Sequence, residues 1–332
     1  MSEGPPPRPA PADVRLRALG MLLIANFYWG LSFPVIKAVI LILHRLQPAA
    51  GGGYLTAMTV APRFLLGFVI LAAWPGKRAP GESSAPTRLE RRQGLIIGAF
   101  ASVGMLLQID GLRFTAASTS AFLTQFYAIL IPVWIAVRRR RFPSLPTAIA
   151  CGLVICGVAV LGHFNWRNCH LGRGEWETLL ASLFFMGQIL TLENPAYADN
   201  RPRPVTLVMF ATEGTVLTAM ALVTAPGLGS LALPWTSGAW VGLTLILTLF
   251  STIGSFSIMN AWQPKISATE AGLIYCVEPI FGSLLALCLP AVFSVWAQIA
   301  YPNETATGNL LLGGGLITAA NLLVQLQRRP AS

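Results

Sequence analysis

The sequence predicts an all-α membrane protein, with ten transmembrane helices arranged as two inverted five-helix repeats. Three observations carry this. Apolar stretches of near-constant length follow one another along the chain, basic residues collect in alternate connections, and a set of short signals recurs from the first half to the second. The mean hydropathy is +0.63, and 54% of the 332 residues are hydrophobic against 11% charged. Ten spans of about 20 residues use about 200 positions, too many to leave a soluble domain of ordinary size.

The chain opens with MSEGPPPRPAPADVR, proline-rich and polar. Residues 1–17 are therefore expected to form a disordered cytoplasmic tail. No short apolar region leads to a cleavage site, so the first span is expected to stay in the mature protein. A single transmembrane domain then fills 18–327, with repeats at about 18–162 and 175–327. The first five apolar runs are 18–43, 55–74, 94–112, 118–137 and 145–162. The next five are 175–192, 204–224, 238–261, 267–289 and 307–326. The longest connection, 75–93, is a polar loop containing PGKRAPGESSAPTRLERR. Residues 290–301 remain apolar and read either as an interfacial stub or as a continuation of the ninth span.

Charge orients these spans. With the N-terminus inside and ten crossings, the inside segments hold 17 of the 23 basic residues, including the run Arg138–Arg141. The outside segments hold four: Arg45, Arg113, Arg167 and Arg173. Lys37 and Arg63 fall within spans. This bias matches the excess of Lys and Arg found in cytoplasmic loops and places both termini there, in a plasma (inner) membrane. It also accounts for the net charge of +10 without nucleic acid, for which no basic surface interleaved with aromatics exists.

The repeat signal is local. Ser120-Ala121 precedes Pro132, and Ser267-Ala268 precedes Pro279 at the same spacing, so each pair is expected to open a span that a proline interrupts. Each is followed by a glycine-rich closing span, with Gly152, Gly157 and Gly162 in one half and Gly308 and Gly313–Gly315 in the other. A five-span unit crosses an odd number of times, so its second copy is inverted, as in many secondary transporters with midplane sites.

Several short motifs resemble one family. Trp29-Gly30-Leu31-Ser32-Phe33-Pro34 with Lys37 is similar to the first-span signature of EamA-type transporters, in the drug/metabolite transporter superfamily. Arg63-Phe64-Leu65-Leu66 resembles the start of their second span. Gly111-Leu112-Arg113-Phe114-Thr115-Ala116-Ala117-Ser118, followed by Ala121-Phe122-Leu123-Thr124 and Pro132, resembles their third-to-fourth span junction. Glu278-Pro279 resembles their ninth-span Glu-Pro. The resemblance implies ten helices in two inverted repeats, a central cavity lined by helices one to four and six to nine, and export or exchange of small metabolites, amino acids or drugs. The acidic residue usual after the fourth span is replaced by Arg138–Arg141, and Glu213 lies outside the family pattern.

Charges at bilayer depth cost about 2.5–3.5 kcal/mol each on insertion scales, and usually face a cavity or a partner. Glu213 sits mid-span in the seventh apolar run, beyond snorkelling reach. It suits a proton-coupling carboxylate or an anchor for a cationic group; the alternative is a structural ion pair with Arg63 of the repeat-equivalent helix. Glu278 shares a helical face with Ala271, Tyr275 and Gly282. Pro279 removes a backbone hydrogen bond and opens the helix there. An acid at such a break suits a ligand or proton site, or it holds the kink against backbone donors. In the first span Asn26, Trp29, Phe33 and Lys37 form one stripe, suited to the path of an aromatic or zwitterionic molecule; the alternative is helix packing with Lys37 snorkelling. The amides Gln108, Gln125, Gln188 and Asn260 suit either a cavity of mixed polarity or interhelical hydrogen bonds. Asp110, Glu177 and Glu193 lie near span ends.

No phosphate-binding GxxxxGK[ST] or hydrolytic motif is present. The histidines His44, His163 and His170 lack metal-ligand spacing, and the five cysteines, Cys151, Cys156, Cys169, Cys276 and Cys288, form no CxxC. No cofactor is expected. The expected partners are the lipid bilayer, a small organic solute and protons, and the sequence leaves a homodimer open. The function predicted is secondary transport of that solute by alternating access, with a non-transporting scaffold or sensor, or an intramembrane enzyme, as alternatives.

Overall fold

The computed structural model describes residues 11–74, 85–140, 142–161, 172–305 and 307–326. Regular structure among them is helical throughout. The first half holds α1 (Ala12–Leu46), α2 (Gly52–Ala73), α3 (Arg88–Leu112), α4 (Ala117–Thr124), α5 (Tyr127–Arg139) and α6 (Leu145–Leu161). The second holds α7 (Arg173–Glu193), α8 (Pro202–Thr224), the short α9 (Leu228–Ala232), α10 (Gly238–Ile246), α11 (Ser255–Trp262), α12 (Ala268–Tyr275), α13 (Glu278–Ala286), α14 (Leu289–Ala297) and α15 (Gly308–Leu326). A π-helical segment, Leu247–Gly254, joins α10 to α11.

Each of the ten predicted runs coincides with helix. Six segments are long and apolar enough to cross a membrane, and a seventh if Ala268–Ala286 and Leu289–Ala297, bent by 54°, are one span. Leu145–Gly157 and Leu311–Ala320 are shorter apolar helices. The chain is an integral, multi-pass membrane protein on this ground.

Three boundaries differ from expectation. Helix α1 begins at Ala12, inside the tail expected to extend to residue 17; residues 1–10 lie outside the described residues. Its 35 residues would reach about 50 Å at 1.5 Å per residue, well beyond the hydrocarbon layer. Helix α3 starts at Arg88, within the expected loop, because Thr87 and Glu90 form a reciprocal capping box there. The earlier part of that loop (75–84), Arg141, and the segment with Cys169, His163, Arg167 and His170 lie outside the described residues. Residues 290–297 belong to α14, set off at an angle from the ninth run.

The helix interruptions do not fall where the paired serines and prolines predict. Pro132 lies inside α5, and the interruption falls earlier, between Thr124 and Tyr127. In the second half it falls between Tyr275 and Glu278, with Pro279 in the first turn of α13. Ala116 is the N-cap of α4, as Ser267 is of α12, and Ser120 lies one turn inside α4. Helix starts now recur at 150 or 151 residues: Gly52 and Pro202, Arg88 and Gly238, Ala117 and Ala268, Tyr127 and Glu278.

Packing follows small residues. Helix α2 packs on α8, α3 on α7 and α8, α6 on α15, and α1 on α13 and α11. In lipid there is no water-driven burial between helices, so close backbone approach supplies the contact. On α1, a Cβ at Gly30 would lie 2.7 Å from Phe281 Cβ and 2.8 Å from Gly282 N of α13. Polar ties fasten the helix starts. Arg201 Nε and Nη2 grip the Glu90 carboxylate at 2.7 and 2.9 Å. Arg15 holds Glu270 at 2.8 Å, and Glu270 also closes the capping box with Ser267.

Three outcomes follow for the purified protein in detergent. Gly30→Ala is expected to lower stability by about 1–3 kcal/mol through overpacking, seen as a lower Tm. Gly20→Ala, with no atom within 4 Å of the new Cβ, is expected to stay within about 0.5 kcal/mol of wild type. A double-mutant cycle across Glu90 and Arg201 is expected to give a coupling of about 1 kcal/mol or more; additive losses would mean the contact contributes nothing.

Candidate functional site

A cavity of about 60 Å³ lies where the two helix interruptions meet. Its walls are built almost entirely from pairs one helical turn apart. Helix α3 supplies Met105 and Gln108, the α4–α5 interruption Thr124 and Tyr127, and α7 Phe185 and Gln188. Helix α11 supplies Phe256 and Met259, and the α12–α13 interruption Tyr275 and Glu278. Helix α1 adds Trp29, Ser32, Phe33 and Ile36, while α2 adds Arg63 alone.

Aromatic rings frame one side. Trp29 meets Phe256 and Tyr275 edge-on, each with centroids 5.4 Å apart, and Tyr275 faces Tyr127 at 6.5 Å. Polar anchors fix several walls. Tyr275 donates its hydroxyl to Gln263 Oε1 at 3.0 Å, and Gln263 Nε2 donates to the Ile189 carbonyl at 2.9 Å. Gln108 Nε2 donates to Thr124 Oγ1 at 2.7 Å, holding α3 to the end of α4.

The charged groups are poorly satisfied. Arg63 is 2% exposed; its Nη2 reaches only the Met105 thioether, at 3.2 Å, and Nε and Nη1 find no hydrogen-bond partner among the described residues. Glu213 of α8 is fully buried, and neither carboxylate oxygen is hydrogen-bonded. Arg63 and Glu213 feel each other's charge but make no direct ion pair. Each hydrogen bond missing at a buried group costs about 1–3 kcal/mol, and more when the group is charged. Such groups persist where function or a ligand uses them.

The predicted residues thus divide. Trp29, Phe33, Arg63, Gln108, Gln188, Tyr275 and Glu278 line the cavity. Asn26 instead ties α1 to α12, donating to the Leu22 and Ile274 carbonyls at 2.8 and 3.3 Å. Lys37 donates to the Leu112 and Thr115 carbonyls at 2.6 and 3.2 Å, capping the end of α3. Asn260 donates to Thr206 Oγ1 at 2.9 Å. Gln125 is fully buried in the first interruption, its amide beside the polar ends of Tyr127 and Glu278. Glu213 stands behind Arg63, off the cavity wall. Among the wall residues that residue-by-residue reading missed is Tyr127, which opens α5 after the first interruption as Glu278 opens α13 after the second.

A second hollow, of about 450 Å³, lies at the start of α2, the end of α3 and the start of α7. Its charges satisfy one another. Asp110 accepts from Arg113 at 2.6 Å, from Thr56 at 3.2 Å and from Arg173, which also holds Glu177 at 2.7 Å.

Comparison with known proteins agrees with this architecture. The chain is 24% identical over 312 residues to an "Uncharacterized transporter" of Archaeoglobus fulgidus, covering 93% of this chain and 85% of that one. A protein of known crystal structure, 15% identical, superimposes with a TM-score of 0.61 over 96% of this chain and all of its own, a likeness of fold. Residues 16–162 match the model of the EamA-like transporter family. These likenesses support a membrane transporter rather than an enzyme, the family match extending over residues 16–162.

Proposed function

We propose that this protein is a secondary transporter, an exporter or exchanger, which moves a small organic solute by alternating access. In this reading ten helices form two inverted five-helix repeats that rock about the central cavity. The observation that carries it is the cavity itself. It sits at mid-bundle, takes walls from both halves, and is bounded by the ends of four half-helices. Broken helices at a midplane site are the transporter solution to binding polar solutes within lipid.

The packing supports the repeat. Exchanging residues 150 or 151 apart turns α2 on α8 into itself, and α3 on α7 into the segment α10–α11 on α1. It also relates Arg63 to Glu213 and Tyr127 to Glu278. A scaffold has no evident use for charges held unpaired at such positions. At about 60 Å³ the cavity holds a few water-sized atoms, far below the usual 300–1,000 Å³ of a ligand site. A larger solute therefore enters only as the halves part. Glu278 on the wall and Glu213 behind Arg63 are the groups proposed to couple transport to protons.

In reconstituted vesicles, Glu278→Gln and Glu213→Gln are each expected to cut solute flux about tenfold or more, and to flatten its pH dependence, with unchanged insertion. Wild-type flux and pH dependence in both would remove them as coupling groups. Trp29→Ala is expected to raise the concentration needed for half-maximal flux.

A further inference from the structure

We infer that the hollow at the start of α2 and the end of α3 binds a membrane phospholipid with an ammonium headgroup, phosphatidylethanolamine. This does not depend on what the central cavity carries.

Size and position point to a ligand of its own. At about 450 Å³ the hollow falls within the usual range of about 300–1,000 Å³ for a ligand site. Among the described residues, none lines both it and the central cavity. On α3, Met105 and Gln108 face the cavity while Leu107 and Asp110 face the hollow, so the hollow is not a vestibule to that cavity.

The hollow has a polar rim and an apolar wall, stacked along the bilayer normal. The rim lies where helices end: Gly52 opens α2, Asp110 and Arg113 close α3, and Arg173 and Glu177 open α7. That is headgroup level. The wall runs inward from there. Gly94 meets Val208 and Gly98 meets Thr212, so α3 and α8 lie side by side in one register. That register brings Leu106 level with Met220, both on the wall, and Val103 level with Val216 one turn deeper. Val103 is 38% exposed and Val216 44%. Together they continue the wall toward mid-bilayer as a track for an acyl chain.

The ion pairs of the rim leave specific atoms over. Asp110 is fully engaged: Oδ1 accepts from Arg113 Nη1 and Thr56 Oγ1, and Oδ2 from Arg173 Nη2. Glu177 Oε1 accepts from Arg173 Nε at 2.7 Å, but Oε2 is buried with no hydrogen-bond partner among the described residues. Arg113 commits only Nη1, one of its five N–H donors. Both guanidiniums hold Asp110 and lie against the Phe114 ring, 5.2 and 4.6 Å from its centroid, so one phosphodiester can reach both. Gly52 makes the room, since a Cβ there would collide with the Arg113 guanidinium.

The atoms left over select the headgroup. A phosphodiester answers the arginine donors, and a primary ammonium donates to Glu177 Oε2. Phosphatidylcholine has no N–H for that oxygen, and phosphatidylglycerol has no cation. A lipid seated here touches α2, α3, α7 and α8 at once, so its binding stabilises the fold.

The test is thermal unfolding of the delipidated full-length protein in non-ionic detergent. The additives are phosphatidylethanolamine, phosphatidylcholine and phosphatidylglycerol of one chain composition, and water-soluble glycerophosphoethanolamine. Phosphatidylethanolamine is expected to raise Tm, with half its effect at a concentration about tenfold or more below that of the other two lipids, the effect of one charge-assisted contact. The soluble headgroup is expected to leave Tm unchanged at those concentrations, because it leaves the apolar track empty. Glu177→Gln is expected to erase the preference over phosphatidylcholine, and Arg113→Gln to weaken all three lipids about tenfold. No stabilisation by any lipid, equal binding of the three, a preference for another headgroup, equal stabilisation by the soluble headgroup, or a preference that survives Glu177→Gln would overturn the assignment. If a variant does not fold, the wild-type ranking decides.

Discussion

Everything central in this structure depends on one constraint: a backbone N–H or C=O left unpaired in lipid costs several kcal/mol. Helices can be interrupted at bilayer depth only where protein encloses the interruption. The α4–α5 and α12–α13 breaks are enclosed together, with α1, α3, α7 and α11 around them. Two breaks sharing one enclosure leave frayed helix ends, and a space, in the same place. The cavity and the polar groups around it follow from that placement. The close α1–α13 crossing at Gly30 brings the second break against the first-span aromatics.

The charges near this centre obey a different economy from those at the helix starts. Glu90 and Glu270 have arginine partners and capping roles, so they settle the ends of the bundle. Arg63 and Glu213 have each other only at a distance. A buried pair in contact is a structural element that is expensive to break. A buried pair held apart leaves both groups available to something else.

Much of the fold was legible in the sequence, because bilayer thickness imposes a length on every apolar run. All ten predicted runs are helical. The cavity wall was legible in part. Trp29, Phe33, Tyr275 and Glu278 could be found from helical spacing alone, since cavity walls repeat at one turn. Asn26 and Lys37 could not be sorted from them by that means. Their partners are backbone carbonyls of Ile274, Leu112 and Thr115, and a carbonyl has no side-chain signature. Pro132 misled for a related reason. A proline removes one hydrogen bond but does not dictate where the helix parts, and α5 accommodates it.

The π-helical segment Leu247–Gly254 has a consequence for how the chain's length could change. Up to this segment, buried positions of α10 match those of α3 at an interval of 150: Leu243 with Gln93, Leu247 with Ile97. Beyond it the interval is 151: Phe256 with Met105, Met259 with Gln108. One added residue in a regular α-helix would swing every later side chain by about 100°, and Phe256 and Met259 would leave the wall. A wider turn can take up one residue without that rotation, and here its hydroxyl at Ser251 anchors to the Tyr28 carbonyl of α1. The wider turn is thus what sets the aim of Phe256 and Met259 at the centre.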